Sequence, residues 1–168
     1  MRLTILLLLI NFNLFGQFRL DVEGDARITG KLDLLSGISN TFIGRRAGES
    51  NTEGSGNSFF GLQAGLSNTD DYVNSFFGAN AGLTNSKGDG NNFFVAGAGQ
   101  ANTAGDSNCF FGNSTGISNT AGSGNCFFGL SVGGSNTIGS NNSFFGLNAG
   151  FVNSTGSENS FFGRAAGF

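Results

Sequence analysis

The sequence predicts an all-β chain, a parallel β-solenoid (β-roll) of 17-residue coils, and three observations predict it. A 17-residue unit recurs with no insertion or deletion: its first aromatic falls at Phe42, Phe59, Phe76, Phe93, Phe110, Phe127, Phe144 and Phe161. Stacked coils need that strictness, because one extra residue would rotate every later side chain out of its row, whereas loop-joined elements tolerate changes in length. The composition is the second observation, with 30 Gly and 20 Phe in 168 residues and no Pro, Trp or His, a bias too strong for an ordinary mixed core. Third, no stretch beyond the N-terminus keeps a helical apolar period, and Gly and Asn interrupt the chain every few residues, which disfavours helices. A flexible linker is disfavoured too, because the paired Phe residues supply enough apolar surface to offset chain entropy once the copies stack.

The chain divides into three segments. Residues 1–16 are expected to be a signal peptide: Arg2 precedes an apolar run from Leu3 to Ile10, and Gly16 offers a small residue for cleavage before Gln17. The run is too short for a spanning helix, so the chain is expected to be exported to the cell surface or secreted. Residues 17–39 are expected to form a strand-rich cap, because Leu20, Val22, Ala26, Ile28, Leu32 and Leu34 alternate with charged residues and a solenoid end needs a polar-faced closure. Residues 40–168 are the β-roll, eight repeats of which the last is incomplete.

With the first Phe of each repeat as position one, the columns of the stack can be read directly. Position two is Phe60, Phe77, Phe94, Phe111, Phe128, Phe145 and Phe162, with Ile43 in the first copy; position three is Gly except at Val95; position seven is always Gly. Position ten is Asn51, Asn68, Asn85, Asn102, Asn119, Asn136 and Asn153, and position sixteen is Asn57, Asn74, Asn91, Asn108, Asn125, Asn142 and Asn159, preceded by Asn40. In coils stacked about 4.8 Å apart, such asparagines are expected to form ladders, each amide donating to the carbonyl of its equivalent one coil away, and phenyl rings can lie offset on one another. Adjacent strand residues point to opposite faces, so one Phe column must face outward. Eight outward rings make an apolar stripe on the order of 40 Å long, more than a soluble monomer usually shows to water. The same stripe on identical chains is the economical cover, which predicts a homo-oligomer.

The segment Asn40-Thr-Phe-Ile-Gly-Arg-Arg-Ala-Gly48 resembles the Asn-Ser/Thr-apolar-Ile-Gly-x-x-Ala core of trimeric autotransporter adhesin head repeats, the YadA-like left-handed parallel β-roll. The stretch Leu20-Asp-Val-Glu-Gly-Asp-Ala-Arg-Ile-Thr-Gly30 resembles the opening of secreted tail-fibre-like bacterial repeat proteins. The period of 17 departs from the shorter coils common in such heads. The resemblance implies a homotrimer in which the residue before the glycine, Phe60 and its equivalents, faces into the coil, while the column Phe42, Phe59, Phe76, Phe93, Phe110, Phe127, Phe144 and Phe161 faces neighbouring subunits. Ile43 is compatible with that choice, since a filled interior tolerates an aliphatic of similar bulk.

Few residues carry chemistry. Cys109 and Cys126 share position seventeen; in an exported protein they would form a disulfide between neighbouring coils or stand as two small thiols in place of serine. Asp70 and Asp71 interrupt one copy and are expected to be a solvated turn. A metal solenoid repeats its acids in every copy, and this chain repeats Asn instead, so no metal is expected. No cofactor is expected, and the glycine clusters lack the Lys-Ser/Thr of a phosphate loop. A net charge of −3 gives no footprint for nucleic acid. Without His, and without a convergent acid, base and nucleophile, an enzyme is not expected. The leading functional expectation is a secreted or cell-surface structural and adhesion module, a rigid head or fibre segment that binds an extracellular surface or glycan by many weak contacts. The alternative is an ice- or carbohydrate-binding solenoid that uses Thr52, Thr69, Ser86, Thr103, Thr120, Thr137 and Ser154 as a hydroxyl array.

Overall fold

A computed structural model describes residues 39–168; the signal peptide expected over 1–16, and the cap expected over 17–39 apart from its last residue, lie outside the described residues. The described chain is a parallel β-solenoid. Each 17-residue coil contributes one three-residue strand: β1 (Thr41–Ile43), β2 (Ser58–Phe60), β3 (Ser75–Phe77), β4 (Asn92–Phe94), β5 (Cys109–Phe111), β6 (Cys126–Phe128), β7 (Ser143–Phe145) and β8 (Ser160–Phe162). They form one parallel sheet in chain order, each residue paired with its equivalent one repeat on, as in Phe59 with Phe76. Backbone bonds between coils continue beyond the strands, for example Gly65 N–H to Ala81 O at 3.0 Å and Thr103 N–H to Thr120 O at 2.9 Å. A change in coil length would break bonds on several sides at once, which is why the period is strict.

The orientation of the two Phe columns is the reverse of the one the resemblance implied. Phe59, Phe76, Phe93, Phe110, Phe127 and Phe144 are fully buried, with Phe42 and Phe161 packed against them at the ends. Phe60, Phe77, Phe94, Phe111, Phe128, Phe145 and Phe162 lie on the outer face, half-buried or exposed, with Ile43 exposed beside them. The cause lies at position seven. Each glycine there has a φ between +56° and +69°, as at Gly65 (+58°) and Gly99 (+57°), and a Cβ built on any of the eight would lie 2.3–2.6 Å from the position-one ring of the same copy. The ring fills the space a side chain would take, so the first Phe closes the coil. A second apolar column completes this half of the interior: Ala64, Ala81, Ala98, Val132 and Ala149, all fully buried at position six. The interior rings stack with centroids 4.7–4.9 Å apart and interplanar angles of 15° or less.

Position three is strained once. Its glycines have φ values from +118° to +144°, and a Cβ at Gly61 or Gly112 would come within 2.1–2.5 Å of a carbonyl oxygen on the next coil. Val95 occupies this column at φ 87°, a conformation that a β-branched residue adopts only at a cost.

Two outcomes follow for equilibrium unfolding in denaturant. Phe110→Ala lowers stability by about 3 to 5 kcal/mol, because fixed neighbours leave a cavity, whereas Phe111→Ala costs less than about 1.5 kcal/mol. Val95→Gly raises stability by roughly 1 kcal/mol by relieving the positive φ; an unchanged or lower midpoint would show that the strain is already relaxed.

Candidate interaction face and the buried corner

The outer face of the sheet is built by strand alternation. With position one inside, positions seventeen and two point outward together, and the chain then presents position four beside them. The outward rings also stack, less evenly than the inner ones, at 4.6 Å for Phe60 on Phe77 and 4.9 Å for Phe77 on Phe94. The widest step, 5.5 Å, lies between Phe111 and Phe128. Leu62, Leu130 and Leu147 at position four are exposed alongside. The charged side chains in these three columns are Arg45 and Arg164, on the first and last coils. From Ser58 to Leu147 the face is a stack of rings bordered by small polar and aliphatic groups.

Cys109 and Cys126 lie on this face, half-buried and in register on β5 and β6, and both are free thiols. Burial first, and the neighbouring Cys126 second, push the Cys109 thiol above its ordinary value, so it stays protonated and weakly nucleophilic at neutral pH.

The hydroxyl column is turned along the stack. Thr52, Ser86, Thr103, Thr120 and Thr137 each donate to the backbone carbonyl of the equivalent residue one coil on, at 3.0–3.5 Å, whereas the Thr69 hydroxyl has its shorter contact with Asp70. Their protons hold coils together.

The two asparagine columns form the polar half of the interior, by different means. At position ten the expected amide ladder is present in two runs, one from Asn51 to Asn68 at 2.8 Å and one from Asn153 down to Asn85 at 2.6–3.4 Å. At position sixteen each Oδ1 accepts the backbone N–H of the next asparagine, from Asn57 on Asn40 at 2.8 Å to Asn159 on Asn142 at 3.0 Å. Nδ2 instead turns to the position-thirteen carbonyl fourteen residues on, as Asn91 does to Gly105 at 2.7 Å and Asn108 to Gly122 at 2.8 Å. Amide-to-amide bonds such as Asn108 to Asn91, 3.2 Å, are secondary here. A third ladder was not anticipated from the sequence: the backbone N–H groups of Tyr72, Asp89, Asp106, Ser123 and Ser140 donate to the side-chain oxygens of Asp89, Asp106, Ser123, Ser140 and Ser157 at 2.7–3.0 Å. Its signal was present as a run of Ser and Asp at position fourteen.

The aspartate pair divides. Asp70 is exposed and accepts from Thr69 Oγ1 at 2.8 Å, as a solvated turn should. Asp71 departs from that expectation, because it is only 4% exposed. It stands at position thirteen, which is glycine in the other copies. At Gly88 and Gly105 an added Cβ would lie 2.3–2.5 Å from both the Oδ1 of the coil's position-ten Asn and the next corner's carbonyl oxygen. Asp71 therefore enters crowded space, and its Oδ2 accepts from Asn68 Nδ2 at 3.0 Å and Asn85 Nδ2 at 3.2 Å. The fully buried Asn74 Nδ2, three residues on, is left without a hydrogen bond. Burial first, then the charges of Asp89, Asp70 and Asp106, push the Asp71 carboxyl up to about 7. No cluster of three or more metal-ligating side chains occurs among the described residues.

The sign of the linkage is fixed by that shift. Between the unfolded value of 3.8 and the folded value of about 7, the native state keeps a proton that the unfolded chain has lost. Stability therefore falls as pH rises through this window, by up to about 4 kcal/mol, and levels off above it. Asp71→Asn removes that part of the slope in pH-dependent unfolding; an identical slope in the variant would assign it to other carboxylates. The chain matches no protein-family model, and comparison with curated proteins and with solved structures gives no match.

Proposed function

We propose that this chain is a secreted or cell-surface structural and adhesion module, a rigid solenoid that self-associates through its outward Phe column and binds surfaces by many weak contacts. The observation that carries this reading is the uncharged ribbon of stacked rings from Phe60 to Phe145. Such a ribbon is on the order of 30 Å long and several hundred Å2 in area, beyond the patches monomers usually leave in water. A second copy is the occupant that fits it, because only an identical stack presents ridges at the same pitch, so that ring edges interdigitate as in a dry zipper. A homotrimer is the closed arrangement that the resemblance to adhesin heads suggests. The hydroxyl-array alternative is disfavoured, since the Thr and Ser donors are already bonded between coils and offer few free protons to ice or sugar.

Light scattering of the chain should give three times the chain mass at micromolar concentration. Replacing Phe77, Phe111 and Phe145 together with Ser should release folded monomers, and surface attachment should fall far more than threefold because the sites act together. Twice the chain mass would keep the interface but replace the trimer with a face-to-face dimer. A monomeric wild type at high micromolar concentration, equally adhesive, would overturn both self-association and the multivalent role.

A further inference from the structure

The amides of position ten do not all point the same way. Asn51 donates to Asn68, and Asn68 donates to Asp71 Oδ2. From the other end Asn153 donates to Asn136, Asn136 to Asn119, Asn119 to Asn102, Asn102 to Asn85, and Asn85 to that same oxygen. Two runs of donors thus converge on a single atom. Primary amides propagate one direction, since each accepts through Oδ1 and donates through Nδ2; two runs can meet head to head only at an atom that accepts from both and carries no proton. An ionised carboxylate has that property.

We propose that the Asp71 carboxylate sets the donor direction of the whole position-ten ladder and makes the joint between the second coil (57–73) and the third (74–90) responsive to pH. Ionised, it holds both runs pointed at itself. Protonated on Oδ2, it carries an O–H on the very atom the two runs share, so one neighbouring amide has to turn its oxygen toward that proton and its run reverses. The groups around it oppose each other: Asn68 and Asn85 donate to the anion, and Asn74, three residues on, has an Nδ2 that makes no hydrogen bond. Asp70 on its own corner and Asp89 and Asp106 on the next two coils repel the charge. Glu53 and Lys87, exposed at position twelve of the neighbouring coils, are the other charged side chains on these corners. The balance of burial and repulsion places the transition near neutrality.

Nuclear magnetic resonance on the 15N- and 13C-labelled full chain tests this between about pH 5 and 9. The Asn68 and Asn85 side-chain amides should shift with the same midpoint as the Asp71 carboxyl carbon, with smaller shifts at Asn51 and Asn102. Asp71→Asn and Asp71→Gly should abolish the amide transition, and Asp89→Asn should move its midpoint down but keep it. Amides that stay flat while Asp71 titrates, or that change with a separate midpoint, overturn the proposal in the wild type alone. A transition that persists in Asp71→Asn overturns it equally.

Discussion

Each coil is closed by one contact, the position-one phenyl ring against the Cα of the position-seven glycine. A Cβ on that glycine would fall inside van der Waals distance of the ring in all eight copies, so the two columns constrain each other: the glycine is fixed because the ring is there, and the ring is inside because the glycine leaves room. The rest follows from this closure. Position six packs beside the ring, filled by Ala64, Ala81, Ala98 and Ala149 and by the larger Val132 and Thr115, all fully buried. The remaining space is filled by Asn rather than by further apolar groups, which brings buried amides that have to be satisfied. The position-thirteen carbonyls do so from inside the coil, Gly105 accepting from both Asn91 and Asn102 and Gly122 from both Asn108 and Asn119. An apolar half locked by one glycine and a polar half locked by another together set the length of the coil.

Period and columns were legible in the sequence because repetition displays them without knowledge of packing. The direction of the Phe columns was not. Strand alternation says that Phe59 and Phe60 face opposite ways, and it does not say which way is in. Ile43 at position two is compatible with an inward column, yet it is exposed; a half-exposed column accepts an aliphatic at least as readily as a filled one. The informative sign was the opposite, the uninterrupted Phe at position one coupled to uninterrupted Gly at position seven. Asparagine ladders were foreseen as amide-to-amide, which holds at position ten. At position sixteen the backbone N–H competes for the same Oδ1 and takes it. The fate of Asp71 was illegible for another reason: an acid in a turn next to a second acid is usually solvated, and only the inward direction of the position-thirteen corner, invisible in glycine, makes its side chain buried.

A solenoid of this kind is a sum of coils and joints, so departures from the repeat have local costs. Val95 strains one backbone position at the joint it shares with the next coil, and nothing in the structure explains its presence. Asp71 differs, because its hydrogen bonds reach beyond its own joint: the donors of five amides above it and two below run toward one oxygen. A local substitution thereby acquires a long-range consequence that an isolated cavity or clash would lack.

The outward Phe column is the remaining departure from economy. A solvated strand face is served well by Thr or by charged side chains, which also discourage unwanted pairing, yet this face keeps Phe in seven of its eight coils. Stacking covers much of each ring with its neighbours, which is why most are half-buried in a single chain. What stays in water is a row of ring edges at the pitch of the sheet. Burying only ring edges adds little area per residue, so any partner must cover many coils at once to gain affinity. A short or flexible partner cannot, whereas a rigid stack with the same 17-residue repeat and the same pitch can follow the row along its length. Rigidity, which the closed coils supply, is thus what would turn a row of individually weak contacts into an interface.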